Sequence, residues 1–160
     1  MSRKKSVLFI CTHNSARSQM AEAYLRAMAG DRYQAESAGF EPRPLNSLVV
    51  QAMAEDGLDI SKQISKSVFD LYKAGRMFDY VVTVCDDSLP GQCPVFPGVT
   101  KRLHLPFADP SDLSGDYMQN LAMVEQVRDA VKTEVSRLVR EWDGQALARR
   151  ERGSPGPSLP

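Results

Sequence analysis

Cysteine is the residue type in this chain that is best suited to nucleophilic and redox chemistry, and it occurs three times. The positions are Cys11, Cys85 and Cys93. An odd count argues against a framework of paired structural disulfides. A metal site is disfavoured because no Cys-x-x-Cys spacing occurs and His104 is the only histidine near the two later cysteines. Burial as a small apolar side chain is the alternative role for each thiol.

The first cysteine opens a segment whose residues suit the binding and attack of an oxyanion. The segment reads Cys11-Thr12-His13-Asn14-Ser15-Ala16-Arg17-Ser18. It leaves an apolar run and enters a helical pattern, and such a turn directs successive backbone N–H groups and a helix dipole into one concave nest. A tetrahedral oxyanion fits that nest, and the planar guanidinium of Arg17 can hold two of its oxygens. The same field favours the thiolate of Cys11, which is the nucleophilic form.

The other side chains of this oxyanion loop, residues 11–18, are assigned supporting roles. Ser18 lies at the predicted helix start, where its hydroxyl can donate to the thiolate, and Asn14 tolerates an unusual backbone conformation that would brace the loop. His13 could tune the site, but a solvent-facing loop position is favoured for it. A cysteine, five residues and an arginine occur by chance in many proteins, so the assignment depends on the flanking strand and helix and on Asn14-Ser15 within the loop.

Hydropathy patterns predict the elements that must position these residues. Short β-branched or apolar runs predict strands, and apolar residues at helical spacing predict helices. The predicted strands are 6–10, 33–38, 79–84 and 102–107, and the predicted helices are 18–30, 45–57, 67–75 and 117–142. Asp116 and Gln119 resemble a capping box at the start of the last helix. The composition of residues 143–160 predicts a disordered tail.

The alternation of strands and helices predicts a single-domain, three-layer α/β/α fold over residues 1–142, with a four-stranded parallel sheet. In such sheets ligands bind beyond the carboxyl ends of the strands. Cys11, Cys85 and Asp109 each follow a predicted strand, so we expect all three at one edge of the sheet. Residues 86–98 contain several prolines and glycines, which predicts a loop able to follow more than one path.

Bulk composition argues against several classes of function. The 160 residues are 42% apolar and 25% charged, as in a soluble globular protein. The formal net charge is zero, so nothing indicates electrostatic capture of nucleic acid or of a membrane surface. No signal-peptide pattern and no long apolar run occurs. We therefore expect a cytoplasmic monomer without a cofactor, bound to neither nucleic acid nor membrane.

A resemblance to a known family lies in the oxyanion loop and the helix after it. The sequence there is Asn14-Ser15-Ala16-Arg17-Ser18-Gln19-Met20-Ala21-Glu22. It closely resembles the arsenate reductases built on the low-molecular-weight tyrosine phosphatase fold, and the resemblance extends over residues 5–142. Phosphatases of this fold usually carry proline where Gln19 stands and a second cysteine where Ala16 stands. The resemblance implies arsenate as the substrate, phosphate and sulfate as look-alike oxyanions, and arsenic detoxification as the role.

The later cysteines resemble those of the thioredoxin-coupled members of that family. There, a cysteine after the third strand attacks the first cysteine, and another several residues later regenerates it. By position these are Cys85 and Cys93, with thioredoxin as the external reductant. Glutaredoxin or a small thiol stays open as an alternative. Because paired cysteines need Cα atoms within about 7 Å, residues 86–98 are expected to rearrange between the steps.

An acid is needed to protonate the hydroxide that leaves arsenic, and Asp109 is the candidate. It stands in Phe107-Ala108-Asp109-Pro110, where the proline stiffens the turn. The match to the acid loop of the resembling family favours this role over an ordinary Asp-Pro turn.

No metal site is predicted, although some reductases of the resembling family hold a potassium ion near the oxyanion loop. The matching side chains here are Asn14, Glu22 and Ser37, and Lys66 stands where the family has a further carboxylate. We expect the Lys66 ammonium to replace the cation and to interact with Glu22.

Two other functions compete with arsenate reduction. Cys11, Arg17 and Asp109 also suffice for a phosphomonoesterase that forms a cysteinyl phosphate. Aromatic residues usually adjoin the acid loop of the tyrosine phosphatases, whereas Ser111 follows Asp109-Pro110 here, which disfavours an aryl phosphate. A non-enzymatic arsenic sensor could use three thiols but would not need Arg17 and Asp109.

Overall fold

The computed structural model describes residues 3–85, 96–110 and 113–153. The elements in chain order are β1 (Lys5–Cys11), α1 (Arg17–Ala29), β2 (Tyr33–Gly39), α2 (Ser47–Glu55), α3 (Val68–Lys73), β3 (Tyr80–Thr83), β4 (Lys101–His104) and α4 (Tyr117–Gly153). The strands form one parallel sheet in the order β2-β1-β3-β4. The predicted α/β fold with four parallel strands is therefore confirmed.

The central strand β1 is buried on both faces, as its continuous apolar sequence predicts. Val7 and Phe9 face a core formed with α1, α2 and α4. Leu8 and Ile10 face a smaller core formed with α3 and Phe96. Helices thus cover both faces of the sheet, and the buried strand β1 places Cys11 at its carboxyl edge.

Side chains fix where three of the helices begin. The carboxamide of Asn46 accepts from the N–H of Leu48 at the start of α2, and Ser67 caps α3 in the same way. At α4, Asp116 Oδ1 accepts from the N–H of Gln119, and Gln119 Oε1 accepts from the N–H of Asp116. The predicted capping box is therefore present.

Helix α4 is longer than predicted, because it continues past residue 142 to Gly153. Tertiary contacts hold the first residue of the extension, since the carboxylate of Asp143 accepts hydrogen bonds from Arg32 at 3.0 Å and from the hydroxyl of Tyr33 at 2.9 Å. Tertiary contacts of this kind hold the next turn of the helix although its composition suggested a tail. None of the helices in the described ranges combines the length and apolar character needed to cross a membrane.

The carboxylate of Asp79 joins the beginnings of the strands. It accepts from the backbone N–H of Ser6 at 2.8 Å and from the guanidinium of Arg3 at 2.9 Å. The backbone carbonyl oxygen of Asp79 accepts from the N–H of Thr100. Burial alone would raise the pKa of Asp79, but the hydrogen bonds from Ser6 and Arg3 outweigh it and lower that pKa below its ordinary value.

This lowered pKa makes stability depend on pH. The ionised Asp79 stabilises the fold above the ordinary pKa of a carboxyl group, and the contribution is lost as the pH falls through the lower pKa of the folded state. We expect the free energy of unfolding to fall more steeply between about pH 5 and pH 2 in the wild type than in Asp79→Asn. Denaturant titrations at several pH values measure this, and parallel curves for the two proteins would contradict it.

Candidate functional site

Three predicted site residues lie at the carboxyl edge of the sheet. Cys11 ends β1, Cys85 follows β3, and Asp109 follows β4. Strands β1 and β3 are neighbours, and the N–H of Val84 donates to the carbonyl of Ile10 at 2.8 Å, so their pairing continues up to the two cysteines. Both thiols are buried, with 2% of Cys11 and 3% of Cys85 exposed. Cys93 lies outside the described residues.

Two donors surround the sulfur of Cys11. The backbone N–H of Asn14 donates to Cys11 Sγ at 3.1 Å, and Ser18 Oγ lies 2.8 Å from the same sulfur. Asn14 Nδ2 donates to Ser18 Oγ at 2.8 Å, which holds the hydroxyl beside the sulfur, where its proton can be donated to a thiolate. A thiolate accepts both bonds, which stabilises the charged nucleophile.

The carbonyl oxygens of the oxyanion loop face outwards. Four of them accept backbone N–H groups from the segment after β2: Phe40 N to Cys11 O (3.3 Å), Glu41 N to Thr12 O (2.8 Å), Arg43 N to His13 O (2.9 Å) and Asn46 N to Ser15 O (3.0 Å). In a trans peptide the N–H points opposite to the C=O. The N–H groups that follow these carbonyls therefore face the interior of the loop, as an anion nest requires.

A glycine allows β2 to approach this loop closely. Gly39 pairs with Cys11 in the register of the two strands. A Cβ added to Gly39 would lie 2.7 Å from Asn14 N and 2.9 Å from Thr12 O, which are backbone atoms that cannot move aside alone. The absence of a side chain at position 39 therefore sets the shape of the nest.

Arg17 and Asp109 form an ion pair over the loop. Arg17 Nη2 lies 3.4 Å from Asp109 Oδ2, and Nη1 donates to the carbonyl of Phe107 at 3.3 Å. The guanidinium side chain is 2% exposed, whereas that of Asp109 is 29% exposed. The arginine is thus fixed against the acid loop, and the carboxylate beside it is accessible to a bound oxyanion.

Other predicted residues of the loop take different positions. The imidazole Nδ1 of His13 lies 3.1 Å from the carbonyl oxygen of Glu41, away from the thiol, and the residue is partly exposed. Thr12 is also partly exposed, whereas Ser15 and Ala16 are buried. These four residues line the loop chiefly through their backbone.

The predicted contact between Lys66 and Glu22 is wrong. Glu22 instead accepts from Arg26 at 3.0 Å and from the hydroxyl of Ser37 at 3.0 Å. The Lys66 ammonium lies 3.9 Å from Glu36, while its backbone N–H donates to Asn14 Oδ1. The helix places Arg26 one turn from Glu22, so the i,i+4 guanidinium neutralises the buried carboxylate. In the described ranges no group of metal-ligating side chains is present.

One supporting contact was not predicted from the sequence. Gln19, which is fully buried, donates from Nε2 to the carbonyl oxygen of Asn14 at 3.0 Å. The sequence signal for this contact was a polar residue among the buried positions of α1. Its partners on the segment 63–66 are distant in sequence, so the pattern alone does not identify them.

Comparison with known proteins agrees with this geometry. Residues 6–152 match the family model described as low molecular weight phosphotyrosine protein phosphatase. An arsenate reductase of Bacillus licheniformis is 39% identical over 136 residues, which cover 84% of this chain and 94% of that relative.

Solved structures give the same relationship. "An arsenate reductase in the phosphate binding state" is 28% identical, with a TM-score of 0.72 over 86% of this chain and 98% of that one. A thioredoxin-dependent arsenate reductase of Corynebacterium glutamicum is 28% identical, with a TM-score of 0.56 over 84% of this chain and 63% of that one.

The close approach of Gly39 gives a test of the nest. In Gly39→Ala the new methyl group must displace the backbone of the loop, and misplacement of about 1 Å can weaken such a site about 100-fold. We expect the phosphate concentration that half-protects Cys11 from iodoacetamide to rise about 10- to 100-fold. The control is Gly144→Ala, whose methyl group meets nothing within 4 Å. Unchanged protection in Gly39→Ala would show that the loop does not depend on this approach.

Proposed function

The chain belongs to the low molecular weight phosphotyrosine protein phosphatase family and, within it, to the arsenate reductases, and on that premise we propose that it reduces arsenate to arsenite through a three-cysteine relay regenerated by thioredoxin. The observation that carries the proposal is the buried thiol of Cys11, whose sulfur accepts from Asn14 N–H and hydrogen-bonds with Ser18 Oγ inside a loop whose carbonyls face outwards. Such a nest suits a tetrahedral oxyanion. A solved relative bears a name that refers to its phosphate binding state, which supports this choice of ligand.

In the first step the Cys11 thiolate attacks arsenic. An S–As bond forms, an As–O bond breaks, and hydroxide leaves with the electron pair of that bond. Asp109 donates the proton that converts the hydroxide to water, and Arg17, 3.4 Å away, holds oxygens of the oxyanion. Arsenic is still As(V) in the resulting adduct.

The second step transfers the electrons. The Cys85 thiolate attacks the sulfur of Cys11, a disulfide forms, and the S–As bond breaks with its electron pair left on arsenic. Arsenic is thereby reduced to As(III) and leaves as arsenite, while two thiols are oxidised. The paired ends of β1 and β3 support this step, because they bring both cysteines to adjacent positions of the sheet edge.

The last step restores Cys11. The Cys93 thiolate attacks Cys85, which frees Cys11 and leaves a Cys85–Cys93 disulfide for an external dithiol to reduce. The reductant is proposed to be thioredoxin, and the printed name of the Corynebacterium glutamicum relative supports it. The role of Cys93 is argued from its position in the sequence.

Cysteine variants test the relay. We expect the wild type to oxidise NADPH over many turnovers when arsenate, thioredoxin and thioredoxin reductase are present. Cys11→Ser should give no turnover. Cys93→Ser should stop after a single turnover, because no thiol is left to attack the Cys11–Cys85 disulfide and free Cys11. Circular dichroism of each variant confirms folding.

The phosphatase alternative gives a different result in the same experiment. Efficient hydrolysis of p-nitrophenyl phosphate without arsenate-dependent NADPH oxidation would refute the reductase proposal. Turnover that requires glutaredoxin and glutathione rather than thioredoxin would refute only the choice of reductant.

The acid is tested by Asp109→Asn. Since a positioned acid contributes about 100- to 10,000-fold, we expect kcat to fall by at least about 100-fold. Protection of Cys11 by phosphate should persist, because Arg17 and the nest are retained. Asp116→Asn is the matched control, since asparagine also caps a helix and Asp116 lies at the start of α4. Equal kcat in Asp109→Asn and Asp116→Asn would exclude the assigned role.

A further inference from the structure

One peptide of the oxyanion loop is held differently from the others. The carbonyls of residues 11, 12, 13 and 15 are bound by backbone N–H groups, whereas that of Asn14 is bound by side chains. Gln19 Nε2 donates to it at 3.0 Å, and Ser65 Oγ lies 2.9 Å from it, although that hydroxyl has a single proton and also lies 2.6 Å from the carbonyl oxygen of Arg43. The orientation of the peptide between Asn14 and Ser15 therefore depends on two side chains.

This peptide adjoins a strained residue. Asn14 has a φ of 51° and is the one non-glycine residue of the described ranges in the left-handed region. Such a conformation costs energy and persists only where the surroundings enforce it. The further bonds to Asn14 come from Lys66 N to its Oδ1 and from its Nδ2 to Ser18. These two bonds hold the side chain of Asn14. The orientation of the peptide between Asn14 and Ser15 depends instead on the bonds to the carbonyl oxygen of Asn14.

The carboxamide of Gln19 is fully engaged in holding that carbonyl. Its Nε2 also donates to the carbonyl of Ile64 at 3.1 Å, and its Oε1 accepts from Gln63 Nε2 at 2.6 Å. Two carbonyl acceptors require the NH₂ end to face Asn14 and Ile64, so only one orientation of the amide satisfies all three partners. With 0% of Gln19 exposed, no water can replace a lost donor cheaply.

We infer that Gln19, assisted by Ser65, is a positioning residue that turns the N–H of Ser15 into the oxyanion site. With the Asn14 carbonyl held outwards, the Ser15 N–H on the other side of the same peptide faces the nest. If the peptide flipped, a carbonyl oxygen would replace that donor and repel the anion. The inference deepens the proposed function by assigning oxyanion affinity to a residue that does not touch the oxyanion.

The test compares two ways of removing a buried hydrogen bond from α1. Gln19→Met keeps the length of the side chain but removes both donors. Tyr24→Phe is the control, because Tyr24 is also buried on α1. Its hydroxyl donates at 2.7 Å to Asp56, a residue outside the oxyanion loop. The main readout is the inorganic phosphate concentration that half-protects Cys11 from iodoacetamide, with the melting temperature measured alongside.

We expect Gln19→Met to raise the half-protecting phosphate concentration about tenfold, which corresponds to about 1.4 kcal/mol. The KM for arsenate should rise by a similar factor, and kcat should change less, because the affected donor binds the oxyanion in the ground state as well. Tyr24→Phe should lower the melting temperature without changing protection. Ser65→Ala removes, from a partly exposed position, the hydroxyl that Asn14 O shares with Arg43 O, so it should weaken protection in the same direction by a smaller factor even if Gln19→Met fails to fold.

If the half-protecting phosphate concentration is unchanged in both Gln19→Met and Ser65→Ala, the inference is overturned. Gln19 would then contribute only to the stability of the core. Equal weakening in Tyr24→Phe would overturn it too, because general destabilisation would then explain the effect. The phosphate readout does not depend on arsenate turnover. A wild type that phosphate protects but that does not reduce arsenate would refute the proposed function and still decide the role of Gln19.

Discussion

The direction of the peptides in the oxyanion loop is the constraint on which the rest of the site depends. An anion nest forms only if consecutive carbonyls turn away from its centre, and in a polypeptide that arrangement is not favoured by local sequence alone. Here the segment after β2 supplies backbone N–H groups to four of the carbonyls. The register that pairs Cys11 with Gly39 brings this segment to the loop, so the fold of the sheet determines the electrostatics of the nucleophile.

The same constraint accounts for the polar groups buried around the site. Asn14 is fully buried and strained, and its five hydrogen bonds connect the thiol, the helix start and the segment 64–66. A buried polar network stabilises one arrangement only when every member is satisfied. The charge of the buried Arg17 is compensated by Asp109, whose carboxylate lies 3.4 Å from its guanidinium. In the proposed mechanism an oxyanion that binds Arg17 competes with Asp109 for this charge, which would couple binding to the acid of the first step.

The sequence predicted the parts of the fold and site that depend on local patterns. Four parallel strands, the capping box of Asp116 and the position of Cys11 before a helix all follow from spacing within a few residues. Two features were misjudged, one because a neighbour on the same helix was overlooked and one because it depends on a long-range contact. Alignment placed Lys66 near Glu22, but it could not tell that Arg26, one turn along α1, would take that carboxylate. The extension of α4 likewise depends on Asp143 meeting Arg32 and Tyr33, which precede it by about 110 residues.

The fold explains how one scaffold can serve both phosphatase and reductase chemistry. In the proposed mechanism Cys11, Arg17 and Asp109 bind and activate a tetrahedral oxyanion, and this much suits phosphoryl transfer as well as attack on arsenic. What differs is the fate of the covalent adduct. Water must reach a cysteinyl phosphate, whereas in the proposed relay a second thiol attacks the first and resolves the arsenic adduct. Cys85 follows β3, the strand paired with β1, and is 3% exposed. The sheet therefore places a buried thiol beside the end of the strand that carries Cys11. Under the proposed relay, reductase chemistry on this scaffold depends on the residue that follows β3, a position outside the nest itself.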